Sequence, residues 1–287
     1  MRHNVTRKAI LIEAPGGDGN PYLNGLKADI RGIAAHLRSQ RGGCWYDQEI
    51  TILHNPTADQ VLAATQFAKA DYLLIYFCGH GYTDGHSVHR MLCLRGHSSI
   101  ADIALIQSAS PRIHLFSDAC RTFTGDAIGS IPLPDDQYDN FTGEPSEIRK
   151  LYDAYIQASP HGKVIIHGTQ SGNSAGEAST GGHFTQALLH VAGRMNIKSG
   201  SQVVGIEQVL YHVLPFLKNK VYKQEPQVIY HSGDLKVPFC VAMPLPFKPV
   251  NVLANNLVFS NNTTPTDWGQ VLLGLGLLVA VAYVAES

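Results

Sequence analysis

The run Ala9-Ile10-Leu11-Ile12 is apolar without alternation and ends in Pro15-Gly16-Gly17-Asp18-Gly19, which predicts a buried strand closed by a turn. Leu26, Ile30, Ile33 and Leu37 then recur at the spacing of one face of an amphipathic helix. Ile50-Thr51-Ile52-Leu53 predicts a second strand, and Pro56-Thr57 opens a helix through Val61, Leu62 and Phe67. Tyr72 to Cys78 is apolar throughout, the pattern of a parallel strand covered on both faces. Ile113-His114-Leu115-Phe116 and Lys163-Val164-Ile165-Ile166-His167 read the same way, and Pro226-Gln227-Val228-Ile229-Tyr230 reads as a last strand. Phe184, Ala187, Leu188 and Val191 mark one later helix, and a second is expected from about Val203 to Leu217. Strands alternating with helices predict an α/β domain with a mainly parallel central sheet flanked by helices. Ligands of such sheets sit outside the carboxyl ends of the strands.

Two stretches break the periodicity. Thr124 to Ser146, with Gly125, Gly129, Pro132, Pro134 and several aspartates, predicts a long loop. Ser171 to Gly182 is rich in small residues, as in a loop that closes on a ligand. Residues 243–267 turn to Pro and Asn with little charge and read as a linker. Beyond it, in residues 268–287, Val271 to Ala285 forms an uncharged run of 15 residues between Trp268 and the neighbourhood of Tyr283. That is slightly short for a spanning helix of roughly 17–25 residues, although Gly269 and Gln270 extend it. Its aromatic flanks predict a C-terminal hydrophobic helix acting as a membrane anchor; a helix buried against a partner would be equally apolar.

Composition narrows the picture. A chain of 287 residues accommodates one sizeable core and a short appendage. The net charge of −1 and a charged fraction of 16% leave no basic stretch suited to a phosphate backbone, so nucleic acid is not expected as a partner. Five cysteines, an odd number over a chain this long, argue for a reducing compartment rather than a disulfide framework. The first residues run into a strand without a signal-peptide apolar region, so the domain is expected in the cytoplasm.

The chemistry lies at two strand ends. Cys78-Gly79-His80-Gly81 closes one apolar run, and Ser117-Asp118-Ala119-Cys120-Arg121 closes another. A thiol becomes an effective nucleophile when a nearby imidazole takes its proton, and a strand terminus holds each partner stiffly. His80 and Cys120 are therefore the candidate dyad, with the backbone N–H groups of Gly81 and Cys120 as candidate oxyanion donors.

These motifs, Tyr76-Phe77-Cys78-Gly79-His80-Gly81 and Ser117-Asp118-Ala119-Cys120, resemble those of the caspase/metacaspase-like cysteine peptidases, over about residues 7–242. Order and spacing agree, His first and Cys 40 positions later. The resemblance implies a caspase-like (caspase-hemoglobinase) fold, a catalytic dyad and protein or peptide substrates. It also implies that Asp118, two before the nucleophile, lies in the pocket for the residue preceding the cut, where a carboxylate favours Arg, then Lys. Thr122 departs from the family, many of whose members carry Gly there. By analogy alone, the resemblance points to a microbial cell-death or antiviral-defence pathway and to an upstream activator, a protein or small-molecule signal. Arg149-Lys150, read as the end of the loop after Cys120, is a candidate self-cleavage point.

Other readings carry less. Cys78, His80, His86, His89, Cys93 and His97 have zinc-type ligands but no paired spacing, so no metal is expected. Asp135, Asp136, Asp139 and Glu144 offer a weak case for calcium activation without EF-hand spacing; no cofactor is required. Gly16-Gly17-Asp18-Gly19 lacks the Lys-Ser/Thr of a phosphate loop and reads as a turn. Asp118 alternatively caps a helix. The rival functions are a catalytically silent caspase-fold membrane adaptor, and a Cys hydrolase acting on a non-peptide amide or ester.

Overall fold

The computed structural model describes residues 4–16, 21–83, 89–120, 144–169, 177–178, 180–217, 224–233 and 236–244, with 120, 177 and 178 described by backbone alone. The linker and C-terminal helix expected over 243–287 lie outside these residues but for Met243 and Pro244. So do Gly17, Asp18 and Gly19 of the first turn, His86, Arg121, Thr122, the acidic stretch with Asp135, Asp136 and Asp139, and most of the small-residue loop. The described residues belong to one compact unit, Met1–Pro246.

The first strand, β1 (Arg7–Ala14), buries Ala9 and Leu11 on one face and Ile10 and Ile12 on the other, which is why it shows no alternation. Helix α1 (Leu26–Arg38) turns the predicted stripe inward, and β2 (Ile50–His54) pairs with β1. Helix α2 (Ala58–Gln66) starts at Thr57, whose hydroxyl accepts from Gln60 N while the Gln60 side chain accepts from Thr57 N, a reciprocal cap. Strand β3 (Tyr72–Thr83) is buried from Tyr72 to Gly81. It runs past the predicted end at Cys78, because its last residues pair antiparallel with β4 (Arg90–Leu94), which continues into β5 (Ser98–Ala101) and the short α3 (Asp102–Leu105). Gly79-His80-Gly81 is thus strand rather than turn.

Next come β6 (Arg112–Cys120), α4 (Pro145–Ala158) and β7 (Gly162–His167). Helix α4 starts with Pro at its first position, so Ser146 and the pair Arg149-Lys150, expected in or beside a loop, are helical. The hairpin β8 (Glu177–Ala178) and β9 (Gly181–Gly182) leads into α5 (His183–Arg194). Strands β10 (Asn196–Ile197) and β11 (Gln202–Gly205) precede α6 (Ile206–Leu217), so Val203 is strand where a helix was expected. Finally β12 (Gln227–Ser232) pairs antiparallel with β7, and β13 (Pro238–Pro244) sits between β10 and β11.

Among the described residues the main sheet runs β12-β7-β6-β3-β1-β2, parallel except at β12. One core fills the side of α1, α4, α5, α6 and β13; a second fills the side of α2 and α3. The chain is therefore mixed α/β, with helices on both faces of a mostly parallel sheet. No helix among the described residues is long and apolar enough to cross a membrane.

Candidate active site

Strands β3 and β6 lie side by side in parallel register, with Cys78 opposite Asp118 and His80 opposite Cys120. Neighbouring strands are about 4.8 Å apart. The ladder therefore brings together two residues 40 positions apart, at the carboxyl end where the parallel pairing stops. Alternation assigns residues 76, 78 and 80 of β3 and 116 and 118 of β6 to the face that packs on α1 and α5.

His80 is 5% exposed, and its Nε2 lies 2.7 Å from the Pro21 carbonyl. A carbonyl only accepts, so Nε2 carries the proton and donates it, and in the neutral ring Nδ1 keeps its lone pair. The turn after β1 forms the other wall of the imidazole. Gly16 has φ +97°, and a Cβ there would stand 2.5 Å from Pro21 O and 3.0 Å from two ring atoms of His80. Leu23 N donates to Pro15 O at 2.8 Å and closes this turn. Gly16 thus packs closely against a histidine.

Asp118 is buried, and its Oδ2 accepts from Thr185 Oγ1 at 2.6 Å and Thr185 N at 3.2 Å. Since Thr185 lies in the first turn of α5, the helix-capping role is present. Burial pushes the carboxyl up to about 6, against the Thr185 hydrogen bonds, which pull it down. No described residue bonds its Oδ1. Thr185 Oγ1 also meets Tyr76 OH at 2.6 Å.

Asp29 joins this carboxylate, a residue the sequence reasoning missed. It interrupts the apolar stripe of α1 yet is 2% exposed. Both its oxygens accept from Gly182 N, at 3.0 and 2.9 Å. A Cβ on Gly182 would lie 2.5 Å from Asp118 Oδ2 and 3.4 Å from Asp29 Oδ2, so the glycine pair lets backbone pass between two buried carboxylates. The available signal was a charged residue inside a buried helical face, followed far downstream by Gly-Gly at a helix start.

Cys78 is fully buried between these groups and Glu13; its thiol donates to Ile12 O at 3.6 Å, and burial holds its pKa well above the usual thiol range. It is a core thiol. Gly81 sits in β3 opposite Leu92 of β4, next to His80. Arg149 is held by Glu49 at 2.5 and 2.9 Å and by the Cys44 carbonyl at 2.9 Å, over the ring of Tyr46; Lys150 pairs with Glu147 at 2.7 Å. The structure brings neither of them to the strand ends. No cluster of three or more His, Cys, Asp or Glu suited to a metal ion occurs among the described residues.

On the opposite face, Asp102 Oδ2 lies 3.3 Å from His167 Nε2, both buried. Burial raises the Asp102 carboxyl, but the hydrogen bond and charge of His167 outweigh it and hold the group below the usual range. Arg90 Nη2 donates to Thr169 O at 2.6 Å and Gln224 Nε2 to Gly168 O at 2.8 Å, fixing the backbone that leaves β7.

No protein-family model and no curated protein matches the chain. Among solved structures, caspase-1 from Spodoptera frugiperda aligns with a TM-score of 0.51 at 15% identity, covering 82% of this chain and 90% of its own. Protein GSU0716 from Geobacter sulfurreducens aligns with the same TM-score at 18% identity, covering 82% of this chain and 99% of its own. At such identities the likeness shows the fold alone, and the fold is caspase-like.

Proposed function

We propose that the chain is a caspase-like cysteine endopeptidase that cleaves after a basic residue, Arg before Lys, with His80 and Cys120 as its dyad. The observation that carries this reading is the register pairing of His80 with Cys120 at the carboxyl end of a parallel sheet. In this mechanism His80 Nδ1 takes the thiol proton, while Nε2–H stays on the Pro21 carbonyl and holds the ring in place. The thiolate attacks the scissile carbonyl, and its oxyanion is received by the N–H groups of Gly81 and Cys120. Collapse expels the amine, which takes the proton from the imidazolium and leaves a thioester; water then releases the acid.

Specificity follows from Asp118 and Asp29. Two buried carboxylates favour a cationic side chain over Asp or Glu, and Asp118 Oδ1, which no described residue bonds, suits one arm of a guanidinium. An upstream activator, a tie to a membrane through residues 268–287 and a place in a microbial defence or death response complete the proposal and rest on analogy.

The test is turnover of matched peptides ending in Arg, Lys or Asp by the full chain, beside Cys120→Ala and Asp118→Ala. The expected result is Cys120-dependent release after Arg that weakens on removing Asp118. Absence of both turnover and labelling of Cys120 by an arginyl electrophile would point to a missing activator or to the adaptor, and a biological effect that survives Cys120→Ala in the cell would then overturn the peptidase in favour of the adaptor. A thiol that labels while every peptide is ignored would favour the non-peptide hydrolase.

A further inference from the structure

Strand β2 is the edge of the main sheet, paired among the described residues with β1 alone. Beside it runs an open groove of about 660 Å³ between the strand and α1. Its α1 wall carries Lys27, Arg31 and Arg38, all exposed; its strand wall carries Ile52 and His54 of β2 and Glu13 of β1; Tyr22 also lines it. From Lys27 to Arg38 the helix rises about 16 Å, the span of roughly five residues of extended chain. The cations fall on one line along the helix. Lys27 and Arg31 are one turn apart, about 6 Å, close to the 6.6 Å between alternate side chains of a strand. Buried Glu13 bonds to His54 Nδ1 at 2.5 Å rather than to a cation, and among the described residues Arg38 alone of the three cations has a carboxylate partner, Asp47 at 2.6 Å.

A small anion would need the charges to converge, whereas these are strung along α1 beside an edge strand that no other described strand covers. We propose that this groove binds an extended acidic segment of a partner protein as an added strand on β2, with alternate carboxylates on Lys27 and Arg31. Occupancy is read at the catalytic end, a step that rests on His80 being the general base. Tyr22 lines the groove, and its neighbour Pro21 supplies the carbonyl that orients the His80 ring. A strand seated against Tyr22 thus fixes the segment that sets the imidazole.

The experiment is selection of phage-displayed random heptapeptides on the full chain, counter-selected on the double variant Lys27→Glu/Arg31→Glu. Both replaced residues are exposed, so the variant keeps its fold, which circular dichroism verifies. Sequences with Asp or Glu at every second position are expected. The synthetic peptide should lose at least about tenfold in affinity on the double variant and weaken with salt. Methylating alternate backbone nitrogens of the peptide should also abolish binding. Failure to enrich acidic alternating sequences, equal binding to the variant, or full displacement by inorganic phosphate would overturn the site. Bound peptide that leaves arginyl-peptide turnover unchanged would overturn the link to His80. No turnover with or without peptide counts against the peptidase alone, because binding is read separately.

Discussion

At the scale of single residues, the imidazole of His80 depends on a glycine it does not touch covalently. Replacing Gly16 with Ala forces a side chain into a left-handed position and against the ring, at a cost of about 1–3 kcal/mol. The expected outcome is a loss of kcat with KM nearly unchanged, measured on an arginyl peptide, since the base is displaced while the pocket stays. Asp118 behaves differently. Its carboxyl titrates near 6 when folded and lower when unfolded, so between about pH 4 and 6 the native state holds the extra proton. Its contribution to stability is complete below that window and declines as pH rises through it. Asp118→Asn should remove this slope from urea-unfolding midpoints and lower the Arg-over-Asp preference about tenfold or more. Asp118 was singled out through the resemblance, two before a cysteine, and its burial against α5 is what the structure adds. Asp29 was not, because a lone acid in an apolar stripe reads as solvent-facing until the glycine pair that receives it is known.

At the scale of elements, the parallel strands announced themselves because each is covered on both sides and so is apolar without interruption. Short strands did not. Val203-Val204 abuts the apolar start of α6, and an unbroken run does not distinguish strand from helix. Strand β4 carries Arg90 and a pattern of only five residues. That arginine has a definite task, since its guanidinium holds Thr169 O at the root of the segment leaving β7. Arg90→Met should destabilise the fold by about 1.5–3 kcal/mol, the worth of a buried charged hydrogen bond, read from the urea midpoint at unchanged m-value. Arg149-Lys150, read as the end of a loop, lies in α4 instead. Arg149 reaches Glu49 100 positions away, a pairing no local pattern reveals.

For the molecule as a whole, two histidines bury their rings neutral. His36 is lowered to about 4 by burial, against its bond to Phe239 O, and His114 to about 3 by burial. Their unfolded counterparts titrate near 6.5, so the unfolded state binds more protons and stability falls as pH drops from about 6.5 towards 4. Two such groups oppose the single slope of Asp118, and the net expectation is a lower unfolding midpoint at pH 5 than at pH 7. A chain ended at Pro246 should unfold in a single cooperative transition, since residues up to that point form one compact unit. Ending it at Leu217 should abolish folding, because β13 buries Phe239, Cys240, Val241 and Met243 in the larger core.

The ladder between β3 and β6 also decides what can vary. Because His80 and Cys120 meet through strand register, the excursion between them through β4, β5 and α3 is free to lengthen or shorten at its turns without moving either residue. A single residue inserted within β6 instead exchanges its two faces and carries Cys120 away from His80. Divergence is therefore cheap in the excursion and closed in the strand, a division of labour that lets such a scaffold acquire new surface while keeping one chemistry.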